Sequence, residues 1–223
     1  MLRLQFARSE FRRRTPGVPR MNRKQALRNL QDIAMVLEAR DVQFWLTDGT
    51  LLGLVRDNHL LPHDTDTDMG LWSDSFDPDV LIDLVNRGFI IERFFGVPAD
   101  GFEITLKRKS IHTDLFFFYS FEACVYHSAY FRLDPRHGDA ERLDYRYRTI
   151  NIGTRSFRGQ VWNVPEPVEF YLEQKYGCDW RSKRVDWDYA LSPPNVVHTG
   201  QRIAYSSSSP SLQQVLSLFD KTE

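Results

Sequence analysis

The sequence has only two cysteines, Cys124 and Cys178, in 223 residues. That is too few for a disulfide-built scaffold or a cysteine zinc site, and it suits idle thiols in a reducing, cytoplasmic compartment. No run of eighteen apolar residues occurs, so no membrane-spanning helix is expected. The N-terminus lacks the uninterrupted apolar stretch of a secretory signal, and export is not expected either. There is no internal repeat and no excess of either charge, since 29 Lys+Arg stand against 30 Asp+Glu for a net charge of −1. A chain with that balance is not built to neutralise a phosphate backbone, and a nucleic-acid partner is not expected.

What is present is ordinary globular composition, 42% hydrophobic and 26% charged, in a chain long enough to bury one sizeable core. The charge is unevenly placed, with nine Lys+Arg and one acid in residues 1–28. Residues 1–21 therefore read as a basic, disordered arm. Leu2, Leu4, Phe6 and Phe11 lie between its arginines, a pattern that allows a weak peripheral contact with an anionic membrane or a presequence-like address. Residues 22–200 are expected to form the folded domain, with 201–223 a linker and a short C-terminal helix.

Phe44–Trp72 carries the chemistry. A short apolar run, Phe44–Leu46, leads into a turn of Asp48, Gly49 and Thr50, a helix-like segment ending near Arg56 follows, and then Asp64, Asp66 and Asp68 recur at spacings of two. In a strand over Asp66–Trp72 the side chains alternate, so Asp66 and Asp68 share one face. Two carboxylates on one spot repel each other and lose hydration, and a hard cation such as Mg²⁺ or Mn²⁺ removes both penalties. A solvated acidic turn is the plain alternative. An EF-hand loop starting at Asp64 fails, because Met69 stands at its glycine position and Ser75 at its glutamate position. Gly49 before a helix lets backbone N–H groups approach a phosphate, and Thr50 adds a hydroxyl.

The residues DGTLLGLVR and PHDTDTDMG resemble the LicD/fukutin family, whose pattern reads roughly DGTLLGAVR and then PWDDDIDIG. PEPVEFYLEQKYGCDW at Pro165–Trp180 resembles the family's late helix ending in Tyr-Gly and an aromatic. His63, Thr65 and Thr67 depart from the pattern; Asp66 and Asp68 match its metal-binding pair, Gly49 and Thr50 its glycine-hydroxyl turn, and Arg56 its arginine. The resemblance implies a single α/β (α+β) domain of nucleotidyltransferase type, a mixed sheet flanked by helices.

Around that stretch, Asn22 and Gln25 cap a helix to about Arg40, and a second helix spans Thr50–Asn58. Asp77-Pro78 opens a third, closed by Gly88. Strands are expected over 89–95, 102–109, 111–119, 124–131, 144–152 and 159–164, with a helix over 167–176 and another over 212–219. Asp134–Glu141 reads as a mobile loop, Asp179–Gly200 as an irregular surface segment and Ser206–Ser209 as a linker. In IHTDLFFFY one carboxylate interrupts an apolar strand, which is costly unless it is paired or ligates a metal. Asp114 is therefore the third candidate acid, where such folds carry one on a later, adjacent strand. An exposed edge strand is the competing reading, and His112 lies on the same face as Asp114.

The resemblance implies transfer of phosphocholine or a polyol phosphate from a CDP-activated donor to a sugar hydroxyl of a glycan or glycolipid, as in lipopolysaccharide or capsule modification, with release of CMP. Asp66, Asp68 and Asp114 would hold Mg²⁺ or Mn²⁺, Gly49 and Thr50 the phosphate, and Arg56 would neutralise an oxygen. Nucleotidyl transfer from an NTP uses the same acids, and a silent nucleotide- or glycan-binding module of the same fold is a further alternative.

Overall fold

A computed structural model describes residues 21–132, 139–184, 186–204 and 209–220. The basic arm up to residue 20, residues 133–138 of the expected Asp134–Glu141 loop and residues 205–208 lie outside the described residues, and Asp139–Glu141 open a strand instead of belonging to that loop. Among the described residues no helix is long and apolar enough to cross a membrane.

The chain forms a mixed sheet with helices on both faces. Helix α1 (Arg23–Ala39) starts where expected, the Asn22 side chain accepting the Gln25 N–H at 3.1 Å. Strand β1 (Phe44–Leu46) is followed by α2 (Asp48–Asp57), β2 (Asp66–Trp72) and α3 (Asp79–Asn86). Strands β3 (Ile90–Val97), β4 (Asp100–Arg108), β5 (Ile111–Phe121), β6 (Cys124–Arg132) and β7 (Asp139–Arg148) complete most of the sheet. Its order is β1-β2-β5-β6-β7-β10, the last strand being Val196–Ala204, with β4 also pairing β5 and β3 pairing β4. β2 and β5 run parallel, and the other pairs are antiparallel.

Alternation divides the sheet into two faces. Met69, Leu71, Leu115, Phe117, Ile104 and Leu106 lie on one face, are fully buried and meet α1 and α3. The other face carries Asp66, Asp68, Asp114 and Glu103, and α2 and α4 (Val168–Tyr176) lie against it. Gly70 belongs to this second face because Trp45 crosses it. A Cβ there would meet the Trp45 indole at 2.5 Å and Phe118 at 2.9 Å, so the fully buried Trp45 sits flat on backbone that only glycine leaves clear.

Two regions depart from the sequence expectation. The single strand expected over 144–152 is two: β7 ends at Arg148, and β8 (Asn151–Phe157) pairs with β9 (Gln160–Glu166) in a separate two-stranded sheet. Thr149 and Ile150 carry the chain between sheets without a glycine or proline, so no sequence break marks the switch. The segment expected to be irregular up to Gly200 ends in a strand, β10 (Val196–Ala204), paired with β7 and bulged between His198 and Arg202, where Gly200 has φ +72°. As a largely exposed edge strand it has little apolar alternation to betray it. The expected boundary at 200 thus cuts through a strand. The C-terminal helix α5 (Leu212–Leu216) is tied down, with Val215 fully buried and Phe219 packed 5.5 Å from both Phe76 and Phe102.

Candidate active site

The register of the central strands assembles the acids. Asp68 of β2 stands beside Asp114 of β5, and Thr105 of β4 stands on the other side of Asp114. Asp66 stands beside His112, and Glu103 beside Phe116. Lateral neighbours in a sheet project to the same side, so Asp66, Asp68, Asp114 and Glu103 all look into one cavity of about 300 Å³, which Asp48, Asp64, Arg56 and Arg93 also line. β5 has partners on both sides and Asp114 is 7% exposed, which excludes the exposed-edge reading of that residue.

Local hydrogen bonds set the carboxylates. Asp68 Oδ2 accepts the Thr50 backbone N–H at 3.1 Å and its hydroxyl at 3.2 Å, and the Thr50 hydroxyl oxygen accepts the Asp68 N–H at 2.8 Å. Thr50 therefore holds Asp68 against the start of α2. Gly49 serves the same approach: a Cβ there would lie 2.7 Å from Asp64 Oδ2 and 3.5 Å from Asp68 Oδ2. Asp114 Oδ1 accepts the Thr105 hydroxyl. His112 shares the Asp114 face but turns outward to Glu92, with Nε2 and Oε2 2.7 Å apart. Arg56, at the far end of α2, donates to Asp57 at 3.2 Å, and its Nε has no aligned acceptor among the described residues.

So many acids in one cavity hold one another's protons on. Burial, then the Asp66 charge, lifts Asp64 to about 8; burial, then the Asp114 charge, lifts Asp66 to about 7. Burial foremost drives Asp68 and Glu103 well above the usual carboxylate range, with Asp66 and Asp114 their respective leading neighbours. Asp114 is raised by burial and partly restrained by Arg93 and by the Thr105 hydroxyl. Among the described residues no group of three or more His, Cys, Asp or Glu side chains is arranged to hold a metal ion. The donor set nonetheless fits a hard divalent cation. It is all oxygen, Glu103 Oε2 is buried without an aligned partner, and Asp68 and Asp114 are lateral neighbours on one face.

A pH effect follows for the metal-free protein. A carboxyl whose folded pKa is raised binds its proton more tightly folded than unfolded, so its stabilisation is full below about pH 4 and is lost as pH rises through its folded value. With Asp66 near 7 and Asp64 near 8, melting in chelator is expected to fall between pH 5 and 8.5, and Asp66→Asn should flatten the fall. A melting temperature that rose across this window would show that these acids are compensated within the fold.

Three further residues were given no site role from the sequence, Asp48 having been read only as part of its turn. Asp48, Lys175 and His127 are at most 1% exposed and line the same cavity. Lys175 Nζ lies 2.7 Å from Asp48 Oδ1, and His127 Nε2 3.8 Å from Asp48 Oδ2. Lys175 and Asp48 thus form a buried ion pair. Burial, then the Lys175 charge, pushes His127 down to about 3, so it is neutral. Burial lowers Lys175 and Asp48 opposes that. Asp48 has φ +44° at the start of α2, a left-handed turn that points its carboxylate inward.

A mixed sheet carrying acids on one face of two adjacent parallel strands, with a helix against them, has the architecture of a nucleotidyltransferase-type domain. The family model described as "LicD/FKTN/FKRP, nucleotidyltransferase domain" matches residues 41–166. The chain belongs to that family. It is 29% identical to the ribitol-5-phosphate transferase FKTN of Mus musculus over 179 residues, covering 80% of this chain and 38% of that protein. The FKTN of Homo sapiens matches at 27% with the same coverage, and the ribitol 5-phosphate transferase FKRP of Homo sapiens at 28% over 152 residues, 64% of this chain and 29% of that one. The chain thus spans well under half the length of these relatives. A crystal structure of the lincosamide antibiotic adenylyltransferase LnuA superposes on 66% of this chain and 82% of that one, with a TM-score of 0.43 and 14% identity.

Proposed function

We propose that this chain is a metal-dependent phosphotransferase. It moves a substituted phosphate, phosphocholine or polyol phosphate, from a CDP-linked donor to a sugar hydroxyl of a glycan or glycolipid and releases CMP. The observation that carries the reading is the lateral row of Asp68 and Asp114, with Asp66 on the same face, opening into a cavity in a chain of this family. FKTN and FKRP are ribitol-phosphate transferases, which supports the transferred group being a substituted phosphate.

Asp66, Asp68 and Asp114 would hold Mg²⁺ or Mn²⁺, which when bound draws charge from phosphate oxygens and acidifies a bound hydroxyl. The residues of the chain do the rest. Thr50 fixes the Asp68 carboxylate, and Gly49, without a Cβ, lets the Asp64 and Asp68 carboxylates close on the start of α2, the helix end that would face a phosphate. Arg56 lines the cavity and would neutralise a phosphate oxygen, and Arg93 offsets the acids. The sugar oxygen attacks the phosphorus of the substituted phosphate and the bond to the bridging oxygen breaks. CMP leaves with that electron pair, and Asp114 takes the hydroxyl proton.

The test is product analysis. With Mg²⁺, a CDP-choline and CDP-polyol panel and a glycan acceptor, CMP is expected together with a phosphoester-modified acceptor. Pyrophosphate formed from an NTP, with no CMP from any CDP donor, would replace the reading by nucleotidyl transfer. Nucleotide binding without either product would make the chain a silent binding module.

A further inference from the structure

The inner end of the cavity holds a cation that the mechanism above does not use. Lys175 reaches it from α4; its ammonium lies 3.5 Å from the centroid of the Tyr145 ring, 5.4 Å from that of Tyr189 and 2.7 Å from Asp48 Oδ1. Lys175, Tyr145, Tyr189 and Asp48 all line the cavity. Aromatic faces around a point backed by a carboxylate are the means by which proteins bind a quaternary ammonium, a cation with no N–H to donate. Here that point is already filled by the chain's own ammonium, on a side chain 1% exposed.

We propose that Lys175 sets the head-group specificity of the cavity: by occupying the aromatic, carboxylate-backed cation position it bars a quaternary ammonium and admits an uncharged, hydroxyl-rich group. The inference rests on the reading that the transferred phosphate ester enters this cavity, and it narrows that ester from phosphocholine or polyol phosphate to the polyol. Charge points the same way. Lys175 and Asp48 are each 1% exposed and compensate one another at 2.7 Å, so the carboxylate has no charge left over for a second cation. A trimethylammonium entering beside them would meet the like charge of Lys175, and an uncharged polyol would not.

The experiment reads binding, not turnover, on the intact chain. Tetramethylammonium is titrated against the parent protein and Lys175→Ala, followed by tryptophan fluorescence, and choline phosphate is compared with glycerol phosphate on the parent. The parent is expected to show no saturable tetramethylammonium binding, while Lys175→Ala gains it by at least about tenfold, a gain that Tyr189→Leu added to Lys175→Ala removes. Glycerol phosphate should bind the parent at least about tenfold tighter than choline phosphate. Saturable tetramethylammonium binding by the parent, or a folded Lys175→Ala that gains none, overturns the proposal. Should Lys175→Ala fail to fold with Asp48 left uncompensated, the two measurements on the parent decide alone, and choline phosphate binding as tightly as glycerol phosphate overturns it. If neither ester binds, the phosphate-ester reading of the cavity fails, while the tetramethylammonium titration still judges Lys175 separately.

Discussion

Asp68→Asn is expected to lower turnover by at least about a thousandfold at saturating Mg²⁺ while raising the melting temperature of the metal-free protein. The two effects have one cause. Asp68 is 7% exposed and sits in the field of Asp66, Asp48, Asp114 and Asp64, so its charge is expensive without a cation and indispensable with one. Asparagine is nearly isosteric, and its amide oxygen still accepts the Thr50 N–H and hydroxyl, so the start of α2 stays in place. What goes is a ligand charge. Relief of about 1 kcal/mol of repulsion corresponds to a rise of about 2–4 °C for a domain of this size. Calorimetry in chelator and turnover in Mg²⁺ measure the two halves independently. Activity close to that of the parent would end the metal-ligand assignment, and a lower melting temperature would mean that Asp68 serves the fold instead.

The candidate site was legible wherever its signal is local. Gly49, Thr50, Arg56, Asp66 and Asp68 fall within one short stretch, and period-two spacing is enough to put the last two on one face. Asp114 was legible for a different reason, being a lone acid in an otherwise apolar strand. Glu103 gives the same signal, a single carboxylate in the buried run of β4, and could have been found by the same rule. Lys175 could not. In the sequence it is one of several charges on a short helix, and only the docking of α4 onto β7 turns it inward against Tyr145 and Asp48. His127 is hidden likewise, since a histidine in an aromatic strand looks the same whether it meets water or an aspartate. The sheet switch at Thr149-Ile150 and the edge strand β10 were missed because pairing partners, not composition, decide both.

Asp114→Asn provides the other large effect, and it tests the site as an assembly because Asp114 reaches it from a strand 46 residues beyond Asp68. Turnover is expected to fall by several orders of magnitude and its dependence on Mg²⁺ to weaken, because an amide is a poorer ligand and cannot take the proton of the attacking hydroxyl. The fold should hold. Asparagine keeps an acceptor for the Thr105 hydroxyl, and removing a charge whose pKa burial already raises spares the metal-free protein a desolvation penalty. A purely structural Asp114 gives the opposite pattern: turnover per folded molecule is preserved, and the substitution shows only in the melting curve. Single-turnover rates across a Mg²⁺ series, with thermal unfolding on the same sample, separate the two. If turnover survived with its metal dependence unchanged, Asp114 would leave the site, and Glu103, on the same sheet face and lining the same cavity, would be the next acid to test.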